Sequence, residues 1–327
     1  MISSTKITNQ TSLLSYIRPF NPSTDMAKVA DLIELCFQDT LDEDGKRYIN
    51  QMREFARNSG LFPWAPPSFE WARSPFIGYV WEQDYQIVGN ISMIPYRLKK
   101  TKRYLIANVA VHPDFRHQGI AHHLTRQAIA HARDNKVPDV WLHVRQENAT
   151  AINLYKDLGF QEVARRTTWY SQGKSSPPEK PKNIQILQRS RAYWRAQKQW
   201  LIDNYPPELS WHLPLNIRSL QPGISGSIYR LINNLQIQQW AAVQGEKLLA
   251  VISWQHTMTY ANILWLAAPI DVDQNALKTL LIYVRHHVSL HRPLMIDFPA
   301  NIFQETFREV GFVEHQTLIW MNLTLRP

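Results

Sequence analysis

The sequence predicts an α/β protein made of two related domains. Apolar runs with the character of strands alternate with amphipathic helical segments over residues 14–170. Residues 171–183, which contain three prolines and no hydrophobic side chain, interrupt this pattern and predict a linker. From Trp240 the order of elements then starts again in a weaker form. Because 327 residues is about twice the usual domain length, we expect one domain at 1–170 and a second at 184–327.

The first domain is predicted to begin with a strand and two helices. Residues 14–20 form an apolar run of strand length. From Asp25 to Phe37, apolar residues recur at helical spacing, and Thr24 or Asp25 can cap that helix. A second helix is predicted from Lys46 to Asn58.

Three strands are predicted next, and the most informative stretch begins in the third of them. Phe76 to Glu82 and Gln86 to Pro95 are predicted to form a hairpin, followed by a strand from Tyr104 to Val111. The stretch from Val109 to Phe160 then has the pattern of a strand, a polar turn, an amphipathic helix, a strand and a helix. Gln161 to Tyr170 is predicted to close the domain as a strand.

The second half repeats this order with weaker signals, which indicates a divergent internal duplication. Its predicted elements are a helix over Ile184–Asn204, a hairpin over 240–254, a strand over 261–269, a helix over Asn275–Leu290 and a strand over 294–298. The segment FREVGFVEH at 307–315 stands where the first half has YKDLGFQEV at 155–163.

The charge and the cysteine count narrow the class of protein. The formal net charge is +9, but Lys and Arg are scattered and the familiar nucleic-acid-binding signatures are absent, which disfavours a nucleic-acid partner. A basic surface that attracts a polyanionic cofactor accounts for the charge as well. One cysteine in 327 residues is typical of a reducing compartment, and no segment approaches the roughly 18 apolar residues of a membrane span. We therefore expect a cytoplasmic protein without a membrane segment.

The turn from Arg116 to Ala121 has the chemistry of an anion site. Backbone N–H groups at the start of a helix lack intrahelical acceptors, and the helix dipole adds attraction of about 1 kcal/mol for an anion. Gly119 permits a close backbone approach. An ordinary strand-to-helix turn with a surface Arg explains the same six residues equally well.

Two linked motifs distinguish these alternatives. Residues 111–121, VHPDFRHQGIA, fit the pattern Val-x-Pro-x-x-Arg/Gln-x-x-Gly-x-Gly/Ala between a strand and a helix. A second pattern, Asn-x-x-Ala-x-x-Leu-Tyr-x-x-x-Gly-Phe, is matched by Asn148, Ala151, Leu154, Tyr155, Gly159 and Phe160. On these motifs the chain resembles the GCN5-related N-acetyltransferase (GNAT) family, over residues 14–170 by element order and most specifically over 105–170.

This resemblance implies a fold and a cofactor. The implied fold is a mixed, mostly antiparallel sheet with a splayed parallel strand pair flanked by helices, here duplicated. Acetyl-CoA is expected to bind as a co-substrate between the splayed strands, Tyr104–Val111 and Val140–Val144. In such proteins backbone groups of the first strand hold the pantetheine arm, here Val109, Ala110 and Val111, and the turn holds the pyrophosphate, here Arg116, His117, Gln118, Gly119, Ile120 and Ala121. Asn148 matches a further cofactor contact, and it is equally suited to cap the following helix.

The resemblance also implies direct attack of an amine on the thioester, with a backbone N–H stabilising the oxyanion. Tyr155 matches the general acid that protonates the departing thiolate, since a phenol with a pKa near ~10 is protonated at neutral pH. An aromatic residue that only packs beside the cleft is the alternative for Tyr155. Ribosomal-protein N-terminal acetyltransferases of this family carry a Glu within Leu-Glu-Val-Arg, and this chain has His143 there. His143 is a candidate general base or a histidine satisfied within the sheet, and Glu147 is the reserve candidate.

No metal site is predicted. Five histidines crowd the region from His112 to His131, but no pair has the i, i+4 spacing of a helical metal site. The acceptor is expected to be an amine, on a small molecule or a protein.

The second half lacks the chemical groups of the first. Asp271-Val272-Asp273-Gln274-Asn275 stands in place of the phosphate turn, and carboxylates there would repel CoA. Phe307 stands in place of Tyr155. We expect the second domain to be degenerate and to shape the acceptor site or a homodimer. An acyl-CoA sensor or scaffold without turnover is the rival reading, and a basic nucleic-acid binder is the third.

Overall fold

The computed structural model describes most of the chain as two compact units, each with its own core. The described residues are 16–57, 77–98, 101–173, 183–210, 213, 215–288 and 292–325. The first unit comprises Met1–Val163 and Ile319–Pro327, and the second comprises Ala164–Leu318. None of the helices among the described residues is long and apolar enough to span a membrane.

The first unit contains the elements that the motifs predict. Its strands are β1 (Ile17–Pro19), β2 (Ile77–Gln83), β3 (Gln86–Leu98), β4 (Thr101–Val111) and β5 (Asp139–Arg145), and its helices are α1 (Pro22–Phe37), α2 (Glu43–Arg57), α3 (Ile120–Asp134) and α4 (Ala149–Asp157). Strands β1 to β4 pair with their neighbours in antiparallel fashion, whereas β4 and β5 are parallel. The sheet is therefore mixed and mostly antiparallel, as predicted.

Helices cover both faces of this sheet. One core cluster joins α1 and α2 to the sheet, and Met26, Ile33 and Ile49 are almost fully buried in it. The other cluster lies under α3 and α4, with Leu124 and Ala128 fully buried. The two faces thus have different helices, and residues of β4 and β5 point towards one pair or the other.

Helix α1 begins three residues earlier than the sequence predicts, so the predicted caps Thr24 and Asp25 are wrong. Its N-cap is Asn21, whose Oδ1 accepts from the Ser23 amide at 3.1 Å, with Pro22 in the first helical position. Asp25 is instead buried and forms an ion pair with Arg18 at 2.6 Å.

The second unit repeats the alternation of strands and helices. Its strands are β7 (Gln185–Gln188), β8 (Ile237–Gln244), β9 (Lys247–Gln255), β10 (Asn262–Ala267) and β11 (Leu294–Pro299), together with the parts of β6 (Gln161–Ser171) and β12 (Phe312–Thr324) that lie within Ala164–Leu318. Its helices are α5 (Trp194–Asn204), α6 (Pro207–Ser210), α7 (Ile217–Leu220), α8 (Ile224–Ile232), α9 (Gln274–His287) and α10 (Gln304–Glu309). Strands β10 and β11 are parallel, as β4 and β5 are in the first unit.

The single helix predicted over Ile184–Asn204 is wrong in its first half. Gln185–Gln188 is strand β7, which pairs antiparallel with β8. Ser190 accepts from the Ala192 amide at 3.3 Å and starts a 3-10 turn, after which α5 runs from Trp194 to Asn204. Edge pairing to β8 therefore overrides the local helical pattern before Ser190.

The boundaries of the two units fall at other residues than the domain ranges 1–170 and 184–327 that the sequence suggests. Most of the predicted linker, residues 174–182, lies outside the described residues. β6 from Ala164 onwards belongs to the second unit, and the chain from Ile319 onwards belongs to the first. The reason is burial, because Ile319, Met321 and Leu325 pack into the core under α3 and α4.

Candidate active site

The parallel strands β4 and β5 are paired over only part of their length. Register pairs run from Tyr104 opposite Val140 to Ile106 opposite Leu142. Among the described residues the pairing stops there, although β4 continues to Val111 and β5 to Arg145. The two strands thus diverge towards their carboxyl ends and leave a gap lined by backbone groups, as the family resemblance implies.

A β-bulge in β4 changes which side chains face the gap and the helices. Asn90 pairs with Ala110 and Ser92 pairs with Ala107, so β4 has one residue more than β3 between these pairs. Asn108, in the bulge, has φ of 51°. Before the bulge Ile106 packs under α3 and α4, and after it Ala110 packs under α1 and α2. Sequence reasoning missed this bulge, although an asparagine within an apolar strand is a signal for it.

Of the three predicted pantetheine residues, Val109 and Val111 are half-buried and Ala110 is buried. The Val111 carbonyl accepts from Arg116 Nε at 3.3 Å and from Cys36 Sγ at 3.2 Å. These contacts occupy that carbonyl, so the backbone of Val109 at the bulge is the most available part of the predicted set.

The segment between β4 and α3 turns sharply. Pro113–Phe115 is one turn of 3-10 helix, and both His117 and Gly119 have left-handed φ, of 62° and 77°. Gly119 is the N-cap of α3, and within the described residues no side chain caps this end. His123 is the first amide to donate back, to the Gly119 carbonyl at 3.0 Å. The first amides of α3, those of Ile120, Ala121 and His122, therefore remain available to an anion.

The structure brings the rest of the predicted turn to this same helix end. Arg116, His117, Gln118 and Gly119 are exposed, whereas Ile120 is buried against the sheet. A Cβ built on Gly119 would have His123 Cδ2 at 3.6 Å as its nearest neighbour. The positive φ, rather than crowding, is therefore what favours glycine here.

Asn148 and Tyr155 occupy the two ends of helix α4. Asn148 is its N-cap, and Oδ1 accepts from the Ala151 amide at 3.0 Å, which confirms the capping role. Tyr155 is 5% exposed and meets Phe160 edge to face with centroids 5.9 Å apart. Burial raises the pKa of Tyr155 above the ordinary value of a phenol, so the hydroxyl is protonated at neutral pH.

His143 lies on β5 immediately after its last residue paired with β4. It is half-buried, and its ring centroid is 4.0 Å from that of Trp320. Its neighbours Leu142 and Val144 belong to the core under α3 and α4, so the alternation of the strand puts His143 on the α1 and α2 face. Arg145, two residues on, confirms this side because it donates to the Thr40 carbonyl at 2.7 Å. Glu147 is exposed in the following turn.

A cavity that the sequence did not reveal lies beside α3. It measures about 570 Å³ and is lined by His122, His123, Arg126, Gln127, Ile129, Ala130, Arg133, Asp157 and Leu158. Burial, followed by neighbouring His122 and Arg126, holds the pKa of His123 below its ordinary value. His122 and Arg126 are four residues apart and therefore lie on the same face of α3. This spacing is the sequence signal that could have indicated the cavity.

The part of the chain that the structure describes contains no group of three His, Cys, Asp or Glu residues placed to hold a metal ion. What these elements do supply is a gap beyond the paired part of β4 and β5 and, directly after β4, an uncapped helix N-terminus. Such a combination suits transfer of a group carried by a phosphate-bearing cofactor.

Comparisons with known proteins agree with this class. Residues 34–160 match the model of the acetyltransferase (GNAT) family. The [ribosomal protein bS18]-alanine N-acetyltransferase of Escherichia coli is 31% identical over 107 residues, which are 32% of this chain and 72% of that protein. An N-alpha-acetyltransferase of Sulfurisphaera tokodaii is 30% identical over 101 residues, 31% of this chain and 59% of that protein. The chain belongs to the GNAT family and is an acyltransferase that transfers an acetyl group to an amine.

Solved structures extend the likeness of fold to 95% of the chain. A GCN5-related N-acetyltransferase from Sphaerobacter thermophilus has a TM-score of 0.57 at 15% identity, covering 95% of this chain and 96% of that one. A tandem GNAT protein from the clavulanic acid biosynthesis pathway has a TM-score of 0.51 at 14% identity, covering 95% and 98%. The fold is thus that of a duplicated acetyltransferase, as predicted.

Proposed function

We propose that the first unit binds acetyl-CoA and carries out the transfer, and that the second unit does not. The observation that carries the proposal is the uncapped N-terminus of α3 directly after the diverging end of β4. The pyrophosphate would accept bonds from the amides of the turn from Arg116 to Ala121. The pantetheine arm would pair with Val109, Ala110 and Val111, in the part of β4 where β5 no longer pairs with it. Asn148 would contact the cofactor from the other side of the gap while it caps α4.

The reaction would proceed by direct attack within a ternary complex. The nitrogen of a neutral amine forms a bond to the thioester carbonyl carbon, and the C–S bond breaks as the tetrahedral intermediate collapses. Tyr155 would give its proton to the departing sulfur, since burial keeps its pKa high and the hydroxyl protonated at neutral pH until the thiolate leaves. His143 would accept the proton that the amine loses, since it lies on the face of α1 and α2 at the diverging end of β5. Glu147 is the reserve base.

Two features support the proposed acceptor and setting. By its name, the bS18-alanine N-acetyltransferase relative acts on an alanine of a ribosomal protein, and the other relative is an N-alpha-acetyltransferase. An α-amine on a protein is therefore one acceptor to test and a small-molecule amine is the other. With one cysteine in the chain, the proposed location is the cytoplasm.

The first experiment is acetyl-CoA binding, measured as a rise in melting temperature and by calorimetry. We expect Gly119→Glu to abolish binding, because it puts a carboxylate and a strained φ at the anion-binding helix end. Gly245→Glu is the matched control: Gly245 also has a left-handed φ, of 57°, lies in a turn of the second unit, and has no neighbour within 4 Å of a built Cβ. A wild-type protein indifferent to acetyl-CoA would refute the proposal.

Turnover is then followed as free thiol release with N-terminal alanine peptides and a panel of small amines. Release that requires an amine supports the enzyme, whereas binding without release with every amine would favour a sensor.

A further inference from the structure

The bulge of β4 is held by two asparagines and a tyrosine that the sequence motifs do not include. Asn90 is 1% exposed on β3, and its Nδ2 donates to the Asn108 carbonyl at 2.8 Å. Asn108 Nδ2 in turn donates to the Tyr48 hydroxyl on α2 at 3.1 Å. A continuous set of hydrogen bonds therefore runs from β3 through the bulge to α2.

The bond from Asn90 fixes the direction of one peptide group. The C=O of Asn108 and the N–H of Val109 belong to the same planar trans peptide, in which they point in opposite directions. Because the carbonyl is turned towards Asn90 on β3, the Val109 N–H is turned away from β3. It therefore points to the side where β4 and β5 diverge.

The bond to Tyr48 fixes the conformation of Asn108. A left-handed φ of 51° costs a residue with a Cβ about 1 kcal/mol, and asparagine adopts it more readily than most. A side-chain bond to a half-buried tyrosine stabilises this conformation by a similar amount. Burial raises the pKa of Tyr48, with the bond from Asn108 opposing it, so the hydroxyl is neutral and accepts the amide proton at physiological pH.

From this geometry we infer that Asn90, Asn108 and Tyr48 are positioning residues, which aim the Val109 N–H at the thioester carbonyl oxygen and connect that amide to α2. The inference rests on the proposed acetyl-CoA site. Its consequence is that α2, on the same face of the sheet as His143, contributes through Tyr48 to stabilisation of the oxyanion.

The test compares acetyl-CoA with CoA, which differ in the carbonyl that the Val109 N–H would contact. Both affinities are measured by calorimetry on the full chain, so no acceptor is needed. The stretching frequency of a ¹³C-labelled acetyl carbonyl in bound acetyl-CoA reports its polarisation. We expect the wild type to bind acetyl-CoA more tightly than CoA and to lower the carbonyl frequency.

The informative variants are Asn108→Gly, Tyr48→Phe and Asn90→Leu. Glycine accepts the left-handed φ without strain, so Asn108→Gly removes the bond to Tyr48 and leaves the backbone unstrained. We expect each variant to lose about tenfold of the preference for acetyl-CoA, the effect of about one hydrogen bond. The carbonyl frequency should move back towards its solution value. Asn108→Gly combined with Tyr48→Phe should be no worse than Asn108→Gly alone, because both remove the same bond.

Matched controls separate this role from a general effect on folding. Asn234→Gly makes the same change at a left-handed asparagine of the second unit, with φ of 49°, and Tyr85→Phe changes a tyrosine that is 92% exposed. Both should keep the wild-type preference and carbonyl frequency.

The outcomes distinguish the two levels of the proposal. If the three variants keep the wild-type preference and frequency, or lose CoA and acetyl-CoA affinity equally, the positioning role is wrong and the cofactor site stands. If the wild type binds neither ligand, the proposed function is refuted and the positioning role with it.

Discussion

The two units start their corresponding helices in opposite ways. In the first unit α3 follows the parallel strand β4 with Gly119 as an uncapped N-terminus. In the second unit α9 follows the parallel strand β10 with Asp273 as its N-cap, and the carboxylate accepts from the Asn275 amide at 2.8 Å. One helix end is open to an external anion, whereas the other is already bound to an anion of its own chain.

The gap between the parallel strands is also open in the first unit and closed in the second. Strands β10 and β11 are paired at Asn262–Leu294 and Ile263–Met295, so they too have a short register. Beyond it, Asn204 Nδ2 donates to the carbonyls of Leu266 and Ala268 at 3.4 and 3.0 Å. The Tyr205 hydroxyl accepts from the Leu266 amide at 3.3 Å. The backbone groups that would receive a pantetheine arm are thus already bonded to side chains at the end of α5.

The second unit also contains a buried ion pair next to its filled gap. Arg166 is 2% exposed, pairs with Asp297 on β11, and donates to the Asn204 carbonyl at 2.8 Å. Phe307, in place of Tyr155, is fully buried among aromatic rings that include Phe298 and Phe312. The comparison teaches that the second unit both lacks the chemical groups and has its gap filled by its own side chains, which supports our proposal that the second unit has no cofactor site.

Tyr155→Phe should give the largest effect, because it converts the first unit to the aromatic residue of the second. We expect kcat to fall about 10²–10⁴-fold, the usual contribution of a general acid, with little change in acetyl-CoA affinity. Thiol release and calorimetry measure the two quantities. Turnover unchanged in this variant would assign Tyr155 to packing alone.

Asn204→Ala tests whether the gap of the second unit is a structural core. Asn204 is 4% exposed, and its loss leaves the buried Leu266 and Ala268 carbonyls without its amide, so we expect unfolding to become easier by about 2 kcal/mol. Denaturant titration measures this. Asp203→Ala, at the exposed neighbour bonded to Gln199, is the control. A second equivalent of acetyl-CoA bound by Asn204→Ala would show a latent site and break the comparison.

Asp273→Ala tests the self-capped helix end. Loss of an N-cap side chain should lower the free energy of unfolding by about 1 kcal/mol. Acetyl-CoA affinity should stay unchanged if binding is confined to the first unit. Asp271→Ala, two residues earlier, is the comparison variant, and an equal loss of stability in both would argue against the capping bond.

Arg126→Ala should give the smallest effect. Arg126 lines the cavity beside α3, which we propose receives the nucleotide end of acetyl-CoA, so we expect the KM for acetyl-CoA to rise by about threefold, as for one screened surface charge. Acetyl-pantetheine, which lacks the nucleotide, should show no change between this variant and wild type. An equal change in KM for both donors would mean that the cavity does not receive the nucleotide end.

The sequence by itself determined the fold class, the family and the identity of the turn. Linked spacing put Gly119 at a helix start and Asn148 at a helix N-cap, because these signals are local and depend on few neighbours. The two carboxylates and the missing glycine of Asp271–Asn275 likewise predict a turn that repels CoA.

Only the tertiary structure decided which partners the backbone N–H and C=O groups of the strands bond to. The bulge at Asn108 depends on Asn90 and Tyr48, which lie 18 and 60 residues away along the chain. The filled gap of the second unit depends on Asn204 and Tyr205, about 60 residues before the strand they contact. The strand β7 was predicted as helix because its pairing with β8 is also distant in sequence. Local patterns encode which residues begin and end an element, whereas the partners of a strand's free backbone groups are set by packing between distant segments.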